Sequence, residues 1–158
     1  MTERTWPVKV LTVSDGVVEG TREDRSGAAL AERLTGAGFE VVERRVTADG
    51  AEAVAGAFAE LTADFAGLVV TTGGTGFGPR DLTPEGTRAA LEREAPGLAE
   101  AMRLVSPLGR LSRAAAGTIG QALVLNTPGS STGAVECLDA VIDVVPHALD
   151  LLAGGRPH

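Results

Sequence analysis

Apolar residues are spaced in two ways along this chain. Valine- and leucine-rich runs with little alternation, Val8 to Val13 and Gly67 to Thr72, read as strands buried on both faces. Phe39 to Val46 reads as a strand made polar on one face by Glu40, Glu43 and Arg45. Helical spacing marks Ala28 to Leu34, closed by Gly36 and Gly38, and the alanine-rich Ala51 to Leu61. It continues over Pro84 to Glu94, and again from Pro96 to about Val105. Leu111 to Ile119 and Ala122 to Asn126 flank Gly120-Gln121 as a hairpin. A helix from about Thr132 to Val145 follows, Pro146 starts a short last helix, and Gly154 opens a frayed tail. The polar stretch Val17 to Arg25 reads as a loop.

This order predicts an α/β fold: a three-layer α/β/α sandwich with a mainly parallel sheet and a short antiparallel hairpin. Residues 1–158 read as one domain with a core over about residues 8–152. Ligands of such sheets sit beyond the carboxyl ends of the strands. Three loops leave strand ends: Ser14 to Gly27, Thr72 to Thr83 and Asn126 to Gly133. They are expected on one rim.

Composition narrows the chemistry. A hydrophobic content of 44% with 22% charged residues fits a soluble globular domain. The net charge of −7 argues against a nucleic-acid partner. Lys9 is the sole lysine beside thirteen arginines, so an anion site must use arginine and backbone amides. The single cysteine, Cys137, excludes an intrachain disulfide and lies in an apolar helical pattern as a core residue. No stretch is long enough to span a bilayer, and MTERTWPVKV lacks a secretory apolar region, so a cytoplasmic location without membrane contact is expected.

Candidate chemistry concentrates in TTGGTGFGPRDLTPE, Thr71 to Glu85. A buried strand enters a glycine-dense turn, then Arg80-Asp81, then a helix start with Thr83 as N-cap and Pro84 at the first helical position. The run is neither a Walker A loop nor a dinucleotide fingerprint. Its glycines serve either chain geometry alone or an anion site whose backbone amides surround phosphate. Arg80 could meet a phosphate oxygen. Asp81 is either a turn former or a metal-holding carboxylate; a phosphate site would repel it unless Mg²⁺ bridges the two. Asp49 is either a helix cap, with Glu52 three residues on, or an acid facing the rim. Ser14, Asp15, Asp24 and Ser26 are caps or a polar lip over the site. Pro128-Gly129-Ser130 can cap the following helix and accept an anion. Taken singly, Arg103, Ser106, Ser112 and Arg113 read as surface. His147 and His158 lack zinc-ligand spacing.

TTGGTGFGPRDLTPE, followed by PGLAEAMR, LSRAAAGTIGQALVLNTPGS and AVECLDAV, closely resembles the MogA/MoaB family of molybdenum cofactor biosynthesis proteins, relatives of gephyrin and the plant G domains. The likeness runs from Val8 to about Leu152. It implies a molybdopterin adenylyltransferase that joins the molybdopterin phosphate to the α-phosphorus of ATP and releases pyrophosphate with Mg²⁺. A non-catalytic molybdopterin-binding paralogue of the MoaB type is the alternative. The family pattern places Gly73, Gly74, Thr75 and Gly76 at the nucleotide phosphates. It makes Asp81 and Asp49 the catalytic, metal-holding acids, and puts Ser14, Asp15, Asp24 and Ser26 in the first loop that closes the pocket. Ser112 and Arg113 fall near the pterin, and Pro128, Gly129 and Ser130 in the molybdopterin loop. Ser131 stands where many relatives carry a second proline. The resemblance also implies a homotrimer or hexamer and handover to a molybdate-inserting enzyme.

Overall fold

The computed structural model describes residues 4–155. The expected tail beyond residue 155, like the first three residues, lies outside them. Six strands form one sheet: β1 (Pro7–Val13), β2 (Glu40–Thr47), β3 (Leu68–Thr72), β4 (Arg93–Glu94), β5 (Ala116–Ile119) and β6 (Ala122–Thr127), in spatial order β2-β1-β3-β6-β5-β4. β2, β1, β3 and β6 run parallel, β5 returns antiparallel to β6, and β4 pairs antiparallel with β5. The helices are α1 (Asp15–Glu19), α2 (Arg25–Gly36), α3 (Ala51–Leu61), α4 (Thr83–Ala90), α5 (Pro96–Arg103), α6 (Ser131–Asp139) and α7 (Val145–Leu152), with a 3-10 turn at Pro107–Leu111.

Strand alternation divides the core. Leu68, Val70, Leu123 and Leu125 point to a layer that holds Leu30 and Leu34 of α2, Met102 of α5, Leu138 of α6 and Leu149 of α7. Val69 and Val124 point to the opposite face, onto Val54, Phe58 and Leu61 of α3. The expected three-layer sandwich and hairpin are therefore present, and β3 and β6 are buried along their whole length because helices cover both of their faces. Asn126 of β6 is buried and fully engaged. Its Nδ2 donates to the hydroxyls of Thr71 and Thr87 at 3.0 Å each, and its Oδ1 accepts from the Ala115 amide at 3.0 Å. That network ties β6 to β3 and to the helix after the glycine turn.

Several boundaries depart from the sequence pattern. The stretch Val17 to Arg25 is not all loop: Ser14 caps α1, its Oγ accepting from the Val17 amide at 3.2 Å, and Gly20 stops the helix in the left-handed region. Thr83 does not cap α4. Leu82 holds the cap position without a side-chain bond, and the Thr83 hydroxyl instead donates to the Gly73 carbonyl at 2.9 Å. α4 ends at Ala90 because Leu91 turns extended, which lets Arg93–Glu94 pair with Gly117–Thr118 as an edge strand. β5 starts at Ala116, and Leu111 belongs to the 3-10 turn. The last helical stretch breaks after Asp139 and resumes at Val145. Cys137 is buried in α6, its thiol aimed at the Met102 carbonyl and pushed up in pKa by burial. No helix among the described residues is long and apolar enough to cross a membrane.

Candidate functional site

The three loops that leave the carboxyl ends of β1, β3 and β6 meet on one rim and enclose a cavity of about 890 Å³. In the first loop, Asp24 caps α2 by accepting from the Gly27 amide at 3.0 Å. Thr12 donates to the same carboxylate at 2.7 Å and Arg44 at 3.0 Å, so Asp24 enters the site partly neutralised. Ser26 is buried in the first turn of α2.

The glycine loop is fixed at both ends. The Gly73 amide donates to the Thr127 carbonyl at 3.1 Å, and the Thr83 amide to the Gly74 carbonyl at 3.1 Å. Gly73 (φ 102°) and Gly74 (φ 70°) occupy backbone conformations that disfavour any side chain. Arg113 braces the loop from outside. Its amide donates to the Thr75 carbonyl at 3.0 Å and its Nε to the Gly76 carbonyl at 2.8 Å, while its terminal nitrogens reach the Asp81 carbonyl and Glu85. In a trans peptide the following N–H points away from the carbonyl, so the amides of Gly76 and Phe77 face away from Arg113. Asp81 closes the turn, its Oδ2 accepting from the Gly78 amide at 2.9 Å.

Asp49 is not a helix cap. Gly50 takes the cap position of α3, and no side chain bonds there. The Asp49 Oδ2 instead accepts from the Asp15 amide at 2.9 Å, while the Asp49 amide donates to the Asp15 Oδ1 at 3.1 Å. Both Asp49 and Asp81 flank the glycine turn. A Cβ on Gly74 would lie 3.3 Å from Asp49 Oδ1, and one on Gly76 would lie 3.2 Å from Asp81 Oδ2. Arg80 does not face the cavity. It grips Asp15 with Nε at 2.6 Å and Nη2 at 3.2 Å.

The third loop touches the second. Thr72 Oγ1 donates to the Pro128 carbonyl at 2.8 Å, and a Cβ on Gly129 would stand 3.5 Å from the Gly73 Cα. Ser130 caps α6 by accepting from the Gly133 amide at 3.1 Å. Of the residues singled out in the sequence, Ser14, Asp24, Ser26, Asp49, Gly73, Gly74, Thr75, Gly76, Asp81, Pro128, Gly129 and Ser130 line the cavity, together with Ser131. Asp15 and Arg113 lie behind it, and Ser112 lines a separate cavity of about 320 Å³ that shares Pro128 and Ser130 as a wall. Sequence reasoning missed Arg22, which lines the main cavity beside Arg25. The only signal was a polar run, Thr21 to Asp24, directly before the first capped helix.

Two ion pairs at the margin respond to acid. Hydrogen bonding from the Arg80 guanidinium holds the Asp15 carboxyl below its ordinary 3.8, and Arg113 holds Glu85 below its ordinary 4.5. A carboxyl lowered in the folded state stabilises it above the unfolded pKa, and that contribution disappears as pH falls through the folded pKa. Urea unfolding midpoints should therefore drop as pH falls below these ordinary carboxylate values. The drop should be smaller in Arg80→Gln; an identical profile in the variant would discount the Asp15 pair.

The site's parts match known proteins. A family model for a probable molybdopterin binding domain matches residues 9–147. The chain is 35% identical over 158 aligned residues to a molybdopterin adenylyltransferase of Helicobacter pylori (strain J99), an alignment covering 96% of this chain and 90% of that one. It is 35% identical over 170 aligned residues to the molybdopterin adenylyltransferase of Escherichia coli (strain K12), covering 95% and 87%. The crystal structure of the molybdopterin biosynthesis enzyme MoaB from Thermus thermophilus superposes with a TM-score of 0.88 at 43% identity, covering 98% of this chain and 100% of that one. A site assembled from these three loops, on this sheet order, with this sequence match along nearly its whole length, makes the chain a member of the molybdopterin-binding domain family that includes MoaB and MogA.

Proposed function

We propose that the chain is a molybdopterin adenylyltransferase, moving AMP from ATP to the terminal phosphate of molybdopterin. The observation that carries this is the convergence of Asp49, Asp81, the glycine turn and the Pro128-Gly129-Ser130 turn on one cavity. An oxygen of the molybdopterin phosphate attacks the α-phosphorus of ATP. The new P–O bond forms as the bond to the β-phosphate oxygen breaks, and pyrophosphate leaves with that electron pair. Nucleophile and leaving group are both anionic, so charge repulsion and alignment are the main obstacles.

The chain meets both. The glycine turn supplies backbone amides for the ATP phosphates, and Ser130 with the start of α6 receives the pterin phosphate. Arg22 and Arg25, two arginines among the residues that line the cavity, offset the reactants' charge. Ser14, Asp24 and Ser26 form the lip, while Arg113 holds the glycine turn in shape. Ser112 lies on the pterin side, in the neighbouring cavity.

Asp49 and Asp81 would hold Mg²⁺. Among the described residues no group of three or more His, Cys, Asp and Glu gathers to cage a metal. A pair of carboxylates beside a phosphate site suits Mg²⁺, which takes one or two carboxylates and completes its shell with phosphate oxygens and water. When bound, the ion draws charge from the phosphates and makes the α-phosphorus easier to attack.

The same proposal includes a cytoplasmic homotrimer or hexamer that hands its product to a molybdate-inserting enzyme. Leu104, Leu108 and Leu111 stand 85%, 73% and 53% exposed around the 3-10 turn, an apolar surface that self-assembly would cover. Incubation of the purified chain with ATP, Mg²⁺ and molybdopterin should yield adenylylated molybdopterin and pyrophosphate in equal amounts, measured by chromatography and a pyrophosphate assay. Calorimetric binding of molybdopterin with neither nucleotide binding nor product would instead identify a non-catalytic binding paralogue.

A further inference from the structure

Five polar contacts close a ring around Asp49. Arg80 holds both carboxylate oxygens of Asp15, and its Nη2 also donates to the Asp49 carbonyl at 2.9 Å. Asp15 and Asp49 bond reciprocally, each donating its amide to the other's carboxylate. The ring joins three segments distant in sequence: the first turn of α1, the turn before α3 and the end of the glycine loop. The Asp15 amide is one of the first-turn amides of α1 that the helix itself leaves unbonded, and the Asp49 carboxylate supplies its acceptor. This fixes Oδ2 of Asp49 and leaves Oδ1 toward Gly74 of the phosphate turn.

We propose that Arg80 and Asp15 are positioning residues, which hold the Asp49 carboxylate at the angle needed to share a divalent cation with the nucleotide phosphates, and that Arg80 does not itself contact phosphate. This rests on the adenylyltransferase reading for the identity of the nucleotide. Arg80 has a carboxylate and a carbonyl as partners on its own chain, and neither it nor Asp15 lines the cavity. Lysine cannot replace it, because one ammonium group lacks the planar fork that spans Asp15 and the Asp49 carbonyl together. Asp15 serves as an anionic spacer: its carboxylate neutralises Arg80 and accepts from the Asp49 amide, while its own amide orients the Asp49 carboxylate.

The test uses the full chain with Mn²⁺ as the cation probe and ATP as the nucleotide, free Mn²⁺ being read by electron paramagnetic resonance. Arg80→Gln and Asp15→Asn should each weaken Mn²⁺ uptake into the ATP complex about tenfold, the scale seen when a partner that orients a metal ligand is removed. ATP affinity in excess EDTA should change less than about twofold, since the ring acts on the carboxylate and not on phosphate. The double variant should be no worse than either single variant, because the two residues act as one unit. Arg80→Lys should recover little of the loss.

Equal loss of ATP affinity without metal would show that Arg80 touches phosphate, and overturn the proposal. So would additive effects in the double variant, full recovery by Arg80→Lys, or wild-type chain that takes up no Mn²⁺ with ATP. Circular dichroism and melting temperature check each fold; if Arg80→Gln fails to fold, the near-isosteric Asp15→Asn decides. Because the Mn²⁺ readout needs no turnover, a wild-type chain that binds Mn²⁺ and ATP but transfers no AMP would sink the activity and leave this inference standing.

Discussion

Asp81→Asn should lower AMP transfer by on the order of a hundredfold or more, the scale for removing a preorganised electrostatic group from a charged transition state. Molybdopterin affinity should stay within about threefold, because in the proposed reaction the pterin phosphate is assigned to the Pro128-Gly129-Ser130 turn and not to Asp81. Asparagine keeps the size of aspartate, and its carbonyl oxygen can still accept from the Gly78 amide, so the turn is retained. What disappears is a negative charge beside the phosphate turn. Steady-state kinetics give the split between kcat and KM, and calorimetry gives the pterin affinity. Parallel loss of turnover and affinity would recast Asp81 as a binding residue; unchanged turnover would remove it from the reaction.

Gly73→Ala should destabilise the fold by about 3 kcal/mol, the upper range for a residue forced into a rare backbone region. At φ 102° an L side chain is strained before any contact is counted. Its Cβ would also lie 2.3 Å from the Val13 carbonyl oxygen, which belongs to the neighbouring strand and cannot rotate aside. Nor can Gly73 retreat, since its amide is bonded to Thr127 and its carbonyl to Thr83. For a domain of this size the melting temperature should fall by roughly 6–12 °C. A fall of only a degree or two would mean the turn can relax, and the phosphate site would then be softer than its hydrogen bonds imply.

Local patterns in the chain were informative where local physics decides the outcome. β1 and β3 were legible because strands covered on both faces have no polar alternation, and Asp24 was legible as a cap because its partner, the Gly27 amide, is three residues away. The cap reading of Asp49 failed for the same reason. Aspartate followed by glycine and then a helix is a local cap pattern, yet its carboxylate bonds the Asp15 amide thirty-four residues away. Thr83 was displaced from the cap position by a bond to Gly73, ten residues back across the turn. Arg80 next to Asp81 suggested a phosphate contact, and only the folded loops show Asp15 within its reach. β4 escaped notice because two charged residues, Arg93 and Glu94, carry no strand pattern; they pair only because β5 presents an edge. Arg22 had no regular element to announce it. The three loops themselves were foreseeable, since every one leaves the carboxyl end of a parallel strand.

The hydrogen bond from Thr72 to Pro128, with Gly129 packed against Gly73, sets how far apart the second and third loops of the cavity stand. The two loops are joined by the short, β-branched Thr72 side chain and by the Gly73 amide on the Thr127 carbonyl, with no long side chain spanning the seam. Their separation is therefore a property of the sheet's own spacing between β3 and β6, and a methyl added at Gly129 would meet the Gly73 Cα at an ordinary contact of 3.5 Å without forcing the two loops apart.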